Sequence, residues 1–485
     1  MPNKSSLKSL ASKGIFWSAV EKFSVQGSQF IIAIILARLL VPADFGLIGM
    51  LAIFIAIAQT FVDGGMGLGL VQRKKRTRHD FSTVFVFNFV VSCFFYVLLF
   101  ITAPYIADFY ETPALINVTR VIGLNIIIGS LAIVQRTKLT IDLDFKTLAK
   151  VNIIAVILSG ICSIYLAYTG SGVWSLVYRQ LISSTVTVLL LWYFSRWKAS
   201  LFFSLKSFKD LFGYGSKILA AGVYAKVFQN IYNIAIGKAY SAGILGFFTQ
   251  AKLLADLTSG TVTSILQQVT FPILATLQED QDRMISVYKR LIRMTAFLIF
   301  PTMTILAVLA EPLVILVIGE KWLPTVPLLQ WFCFSRVWSP IGGLNLNVLN
   351  ANGRSDLFLK VDLSKAPIVI VVLIITIPMG IEAMVIGQVI SSFISFFINA
   401  YMPGKLYGYG AFSQIKDIWP MIVASAITAF FTYLSITITD ILFLKLILGG
   451  ITAIISYFGI CYVFKIQELY EIKILLLKLR KKQLK

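Results

Sequence analysis

Leu36-Ala37-Arg38-Leu39-Leu40-Val41-Pro42-Ala43-Asp44-Phe45-Gly46-Leu47 closes one long apolar run and opens the next. The run before it covers residues 14–39 and the run after it 45–61. A hydrocarbon core about 30 Å thick takes roughly 20 apolar residues of helix to cross, so the segment reads as the turn of a membrane-spanning helical hairpin. The same reading extends outward in both directions. Further runs cover 81–103, 114–134, 151–167 and 173–194, then 218–237, 244–266, 291–309 and 326–349, and finally 367–379, 383–401, 418–436 and 441–463. Of the 485 residues 58% are hydrophobic and only 13% are charged. Open sheet edges are excluded from lipid, and these runs are too long for barrel strands. The fold class expected is therefore an all-α polytopic membrane protein with about 14 transmembrane helices.

Charge placement orients the bundle. The N-terminal segment, Arg73–Arg78, and segments 136–150, 196–217, 283–293, 354–365, 405–416 and 465–485 hold 33 of the 43 Lys and Arg residues. The alternate loops carry Asp44, Asp108, Glu111, Glu311, Glu320, Glu382 and Asp440 instead. Cationic loops are retained in the cytoplasm, so both termini are expected there. The net charge of +21 is mostly this topology signal, and no long soluble basic domain exists to hold nucleic acid. The first run is too long for the apolar region of a cleaved signal and lacks a small-residue cleavage site.

The hairpin recurs. Two hundred residues after Arg38 and Gly46 the chain reads Gly237-Lys238-Ala239-Tyr240-Ser241-Ala242-Gly243-Ile244-Leu245-Gly246-Phe247, placing Lys238 and Gly246 in the same frame. Ala103-Pro104-Tyr105-Ile106 is echoed by Glu311-Pro312-Leu313-Val314 at a similar offset. Six helices separate the copies, an even number, so both halves enter the membrane in one direction. Parallel repeats of this kind are related by an axis along the membrane normal, with a central cavity between them. The organisation expected is two pseudo-symmetric six-helix lobes, 1–200 and 201–403, then a helix pair within 404–465 and a basic amphipathic cytoplasmic tail at 466–485. In that tail Ile472, Leu475, Leu476 and Leu479 recur at helical spacing among lysines, a pattern suited to an anionic leaflet.

Intramembrane charge is where function is read. Lys22, Arg38, Arg120, Arg179, Lys226, Lys252 and Arg336 lie in or at the edge of the runs. Arg38 is near enough to an end to snorkel, and Lys252 has Asp256 one helical turn on. The other five would each cost roughly 2.5–3.5 kcal/mol facing lipid, so they are expected to face the interior and make it cationic. Lys22, Lys226 and Arg336 are the expected anion-binding core, with Arg120 and Arg179 as steps in the outer half of the path. Gln26, Asn230 and Asn233 sit one or two turns from these lysines and suit sugar hydroxyls. Glu21, Lys252 and Asp256 are candidates for an ion pair or for coupling.

Other chemistry is thinly represented. Cys93, Cys162, Cys333 and Cys461 are far apart within the runs, and His79 is the single histidine, so no metal site is expected. No G-x-x-x-x-G-K-[ST] string occurs, and with it goes a nucleotide-hydrolysing module.

Leu36–Gly46 as quoted, Gly172-Val173-Trp174-Ser175-Leu176-Val177, Glu311-Pro312-Leu313-Val314, Gly319-Glu320-Lys321-Trp322 and Asn350-Ala351-Asn352-Gly353-Arg354-Ser355-Asp356 resemble the polysaccharide synthesis family. That family holds exporters and flippases of O-antigen, colanic-acid and teichuronic-acid type within the multidrug/oligosaccharidyl-lipid/polysaccharide (MOP) superfamily. The resemblance covers about residues 5–430. It implies a non-enzymatic flippase that carries an undecaprenyl-diphosphate-linked oligosaccharide repeat unit across the inner membrane by alternating access. It further implies no cofactor, a lipid-linked oligosaccharide and the bilayer as partners, contact with a polymerase or synthase, and function as a monomer. Gln229-Asn230-Ile231-Tyr232-Asn233 departs from the family's Arg-Asn-x-Asp-Asn and lacks its carboxylate, and Glu21, Asp63 and Asp256 leave coupling to Na+ or H+ open. A multidrug or organic-ion antiporter of the same superfamily would favour an acidic cavity. A membrane glycosyltransferase or ligase would need catalytic carboxylates or a sizeable loop domain, and a non-transporting scaffold would need no central cations.

Overall fold

A computed structural model describes residues 4–73, 75–195, 197, 199–276 and 280–471. Among them the chain is α-helical, with two short 3-10 turns and no strand. The expected amphipathic tail falls on residues that are mostly beyond 471, outside the described ones.

Two compact units are present, Met1–Gly246 and Phe247–Lys485. The first holds α1 (Lys4–Leu39), α2 (Pro42–Asp63), α3 (Met66–Gln72), α4 (Arg78–Phe109), α5 (Leu115–Ser130), α6 (Ile133–Ile141), α7 (Phe145–Tyr168), α8 (Val173–Ser195) and α9 (Leu205–Ala239). It also includes the first turn of α10 (Ala242–Thr276). The rest of α10 opens the second unit, followed by α11 (Gln281–Val308), α12 (Ala310–Ile318), α13 (Thr325–Arg336), α14 (Trp338–Ala351), α15 (Ser355–Leu363), α16 (Ala366–Thr376), α17 (Ile381–Tyr407), α18 (Ala411–Ile436) and α19 (Leu442–Val463).

Ten helical stretches among the described residues are long and apolar enough to cross a bilayer. They match ten of the expected runs, with α2–α3 and α5–α6 each taken together as one candidate span by length and composition. The remaining four runs fall on α9, α10, α13–α14 and α16. Polar residues dilute α9 and α10, and the fourth-last pair is interrupted: α13 ends at Arg336 and α16 is only 11 residues long.

The hairpin that opened the sequence reading is built as expected. Val41 is extended, Pro42 occupies the first helical position, and the Asp44 carboxylate accepts from the Val41 N–H at 3.2 Å. A fixed proline φ suits that position, and an acid in the first turn favours the positive end of the helix dipole. The echo of this hairpin has a geometric counterpart inside the first unit. A Cβ added to Gly46 would collide with the carbonyl oxygen of Ala242, and one added to Gly246 would collide with that of Pro42. Positions 42 and 46 thus meet their own counterparts crosswise, the reciprocity of a two-fold contact.

Nearby, the loop after α4 is pinned to the end of α9. Lys238 Nζ donates to Glu111 Oε1 at 2.8 Å and lies 5.5 Å from the Phe109 ring centroid. Glu111 holds this position with a φ of 53°, uncommon for a residue with a side chain. The hydrogen bond and then the charge of Lys238 hold its carboxyl below the ordinary range.

In the second unit, α11 is the hub, carrying α13, α14 and α18 against it. A buried polar network ties three of these together. Tyr288 donates to Asn345 Oδ1, while Gln414 Nε2 donates to Tyr288 Oη at 3.1 Å, Asn345 Oδ1 at 3.0 Å and the Tyr409 carbonyl at 3.1 Å. Tyr457 donates to the Phe297 carbonyl at 2.8 Å, fastening α19 to the same helix.

Candidate functional site

In the first unit, five helices bring charge together. Asn152 on α7 donates through Nδ2 to Glu21 on α1 and accepts at Oδ1 from Arg136 Nη2 on α6 at 3.4 Å. Asp63, at the end of α2, interacts electrostatically with Arg136 and with Lys226 on α9. Arg136 and Lys226 therefore balance Glu21 and Asp63. Lys22, the next residue on α1, is half-buried and makes no ion pair among the described residues.

The remaining first-unit residues divide. Asn230 donates to the Lys226 carbonyl at 2.9 Å, and Lys226 Nζ reaches the Gln229 amide oxygen at 3.5 Å. Asn233 is buried, with Oδ1 lacking a hydrogen-bond partner among the described residues. Gln26 is half-buried on α1. Arg120 stacks its guanidinium 4.4 Å from the Phe100 ring centroid, and its Nε is buried without a partner. Such a cation–π contact stabilises a guanidinium by about 0.5–2 kcal/mol and keeps its charge unneutralised. Arg179 is half-buried on α8.

The second unit holds a tighter group. Arg336 Nε donates to Asp256 Oδ1, joining α13 to α10 across 80 residues of sequence. Lys252, one turn before Asp256, interacts electrostatically with both partners. The guanidinium lies 5.5 Å from the Phe332 ring centroid. Ser259 Oγ donates to the Arg336 carbonyl at 3.2 Å. Two bases and one acid leave one positive charge in excess in this group.

Sequence spacing had found Lys252 and Asp256 together. It had missed that Asp256 pairs with Arg336, because no periodicity connects α10 to α13. Arg136 lies in a segment read as a basic cytoplasmic loop and Asn152 near the start of the apolar run 151–167, so spacing singles out neither. Membership of α7 and α6 in one polar cluster leaves no trace in either segment alone. Among the described residues no group of three His, Cys, Asp or Glu side chains could hold a metal ion, and the four cysteines are free.

The sequence model of the family described as "Polysaccharide biosynthesis protein" matches residues 35–327. The Escherichia coli (strain K12) lipopolysaccharide biosynthesis protein WzxC is 24% identical over 421 residues, covering 85% of each chain. The Bacillus subtilis (strain 168) teichuronic acid biosynthesis protein TuaB is 25% identical over 346 residues, covering 71% of this chain and 72% of its own. Among solved structures, the lipid II flippase MurJ in an inward closed conformation superposes with a TM-score of 0.78 at 16% identity, covering 93% of this chain and 98% of that one. The all-helical fold is shared with that structure.

Proposed function

The chain belongs to the polysaccharide biosynthesis protein family, and from that premise we propose that it flips a lipid-linked oligosaccharide across the bacterial inner membrane. It is a multi-pass transporter and not an enzyme. The cargo is a repeat unit on undecaprenyl diphosphate, moved from the cytoplasmic to the outer leaflet for assembly into a surface polysaccharide, by alternating access and with the termini in the cytoplasm.

One observation carries the reading to a diphosphate: the Lys252–Asp256–Arg336 group of the second unit holds two bases to one acid, and in the first unit Lys22 and Arg120 make no ion pair among the described residues. An unpaired cation in the bilayer is costly, and arginine and lysine bind phosphate oxygens through short charge-assisted hydrogen bonds. Such a surplus attracts an anion and repels the organic cations an antiporter would export. Lys22 and Lys226 in the first unit, and separately Arg336 in the second, are the bases read as engaging phosphate; Gln26, Asn230 and Asn233 suit the sugars; Arg120 and Arg179 continue the path within the first unit. The similarity to WzxC, TuaB and MurJ, whose names speak of lipopolysaccharide, teichuronic acid and lipid II, supports a polyprenyl-linked saccharide.

Deleting the gene in its host tests this. The expected result is loss of a surface polymer with accumulation of the undecaprenyl-diphosphate oligosaccharide on the cytoplasmic side, restored by the wild-type chain. Substitution of Lys22, Lys226 or Arg336 by glutamine should reduce that restoration at least tenfold. Unchanged glycans together with new sensitivity to cationic toxins would overturn the reading in favour of an antiporter.

A further inference from the structure

The group formed by Lys252, Asp256 and Arg336 has a property that simple cation lining lacks: its carboxylate already sits on the arginine. Asp256 engages Nε, one of the five N–H donors that a guanidinium presents in a plane. The remaining donors are on the two Nη atoms. The pair is not sealed away, since the Asp256 side chain is 43% exposed and that of Arg336 22%. Arg336 itself is held in place independently of Asp256, by the Phe332 ring and by the hydrogen bond from Ser259 to its carbonyl. It also occupies the last turn of α13, where the helix dipole favours a cation. Lys252 supplies a second positive charge within reach of the same carboxylate.

A carboxylate and a phosphate offer arginine the same thing, two coplanar oxygens for a planar fork. On the diphosphate-flippase reading given above, we propose that Asp256 is an internal counter-anion. It occupies the phosphate seat on Arg336 while the transporter is empty, and the diphosphate ester of the substrate displaces it. The exchange keeps Arg336 paired at every stage, so neither loading nor unloading exposes a bare intramembrane cation. Return of Asp256 to Arg336 assists release of the phosphate. The carboxylate is therefore a competitor of the substrate for one guanidinium, and removing it should tighten binding, the reverse of what loss of a structural ion pair would do.

The test is equilibrium binding of radiolabelled farnesyl diphosphate to the full-length protein in lipid nanodiscs, with farnesol as the comparator. Asp256→Asn should bind farnesyl diphosphate at least fivefold tighter than wild type and release it more slowly. The gain should vanish when Arg336→Gln is added, because the seat is then gone. Equal or weaker binding by an Asp256→Asn protein whose thermal unfolding matches wild type would overturn the proposal. Should that variant fail to fold, Asp256→Ser is judged by the same criterion. A wild-type protein that binds farnesyl diphosphate no better than farnesol would instead overturn the diphosphate reading itself, whatever the variants do.

Discussion

At Gly46 and Gly246 the space available is smaller than a methyl group. Each faces a backbone carbonyl, of Ala242 and Pro42 respectively, and backbone cannot swing aside as the end of a side chain can. Gly46→Ala and Gly246→Ala are each expected to force the two helix starts apart, at about 1–3 kcal/mol by analogy with overpacked cores. Gly243, between them in sequence, has open space around it, its nearest neighbour for an added Cβ being Ser241 Oγ at 3.8 Å. Thermal unfolding in detergent checks the contrast. The two outer variants should melt earlier than wild type and Gly243→Ala should stay within about 0.5 kcal/mol, whereas equal behaviour of all three would remove the close contact. The 200-residue echo was legible from Arg38, Gly46, Lys238 and Gly246 as a resemblance of pattern. That positions 42 and 46 touch positions 246 and 242 was not, because a pattern states likeness and says nothing about proximity.

At the scale of elements, the helices are legible throughout, by length and composition alone where hydrophobicity is uniform and less sharply where polar residues dilute it. The runs that became α4, α7, α18 and α19 are almost purely apolar, so length and composition suffice. In α9 and α10 the lysines and amides that make up the candidate site lower the mean hydropathy of the helices that carry them. Breaks inside crossings, such as the one between α13 and α14 next to Arg336, depend on tertiary packing and leave only a weak mark. The Tyr288–Asn345–Gln414 network fastens α18 to α11 and α14. Gln414 is fully buried, and replacing it with leucine would strand the Tyr288 and Asn345 groups at about 1–3 kcal/mol. Gln414→Leu should therefore lower the melting temperature and speed proteolysis between α17 and α18, while a neutral outcome would mean the network adds nothing beyond apolar packing.

For the whole molecule, the distribution of Lys and Arg predicts sidedness, and with the proposed fourteen crossings both termini are expected on the side of the basic segments. Fusions of green fluorescent protein and alkaline phosphatase after residues 145 and 280 are expected to fluoresce, and those after 112, 170 and 439 to be phosphatase-active. A phosphatase-active fusion at 465 would contradict the count of fourteen. That count leans on the four runs in α9, α10, α13–α14 and α16, which makes fusions flanking them the most informative.

The crosswise meeting of Gly46 and Gly246 has an environmental consequence. It is made of peptide groups, which neither ionise in the range a cell meets nor attract a counterion cloud. The Lys238–Glu111 pair beside it is solvent-exposed and responds to both influences. Its lowered carboxyl contributes stability that is fully present above the ordinary value of 4.5 and is lost as pH falls through the lowered one, and salt screens it. Acid or brine would thus strip the ionic contact and leave the glycine one intact, a seam that keeps its hold whatever the weather outside the membrane.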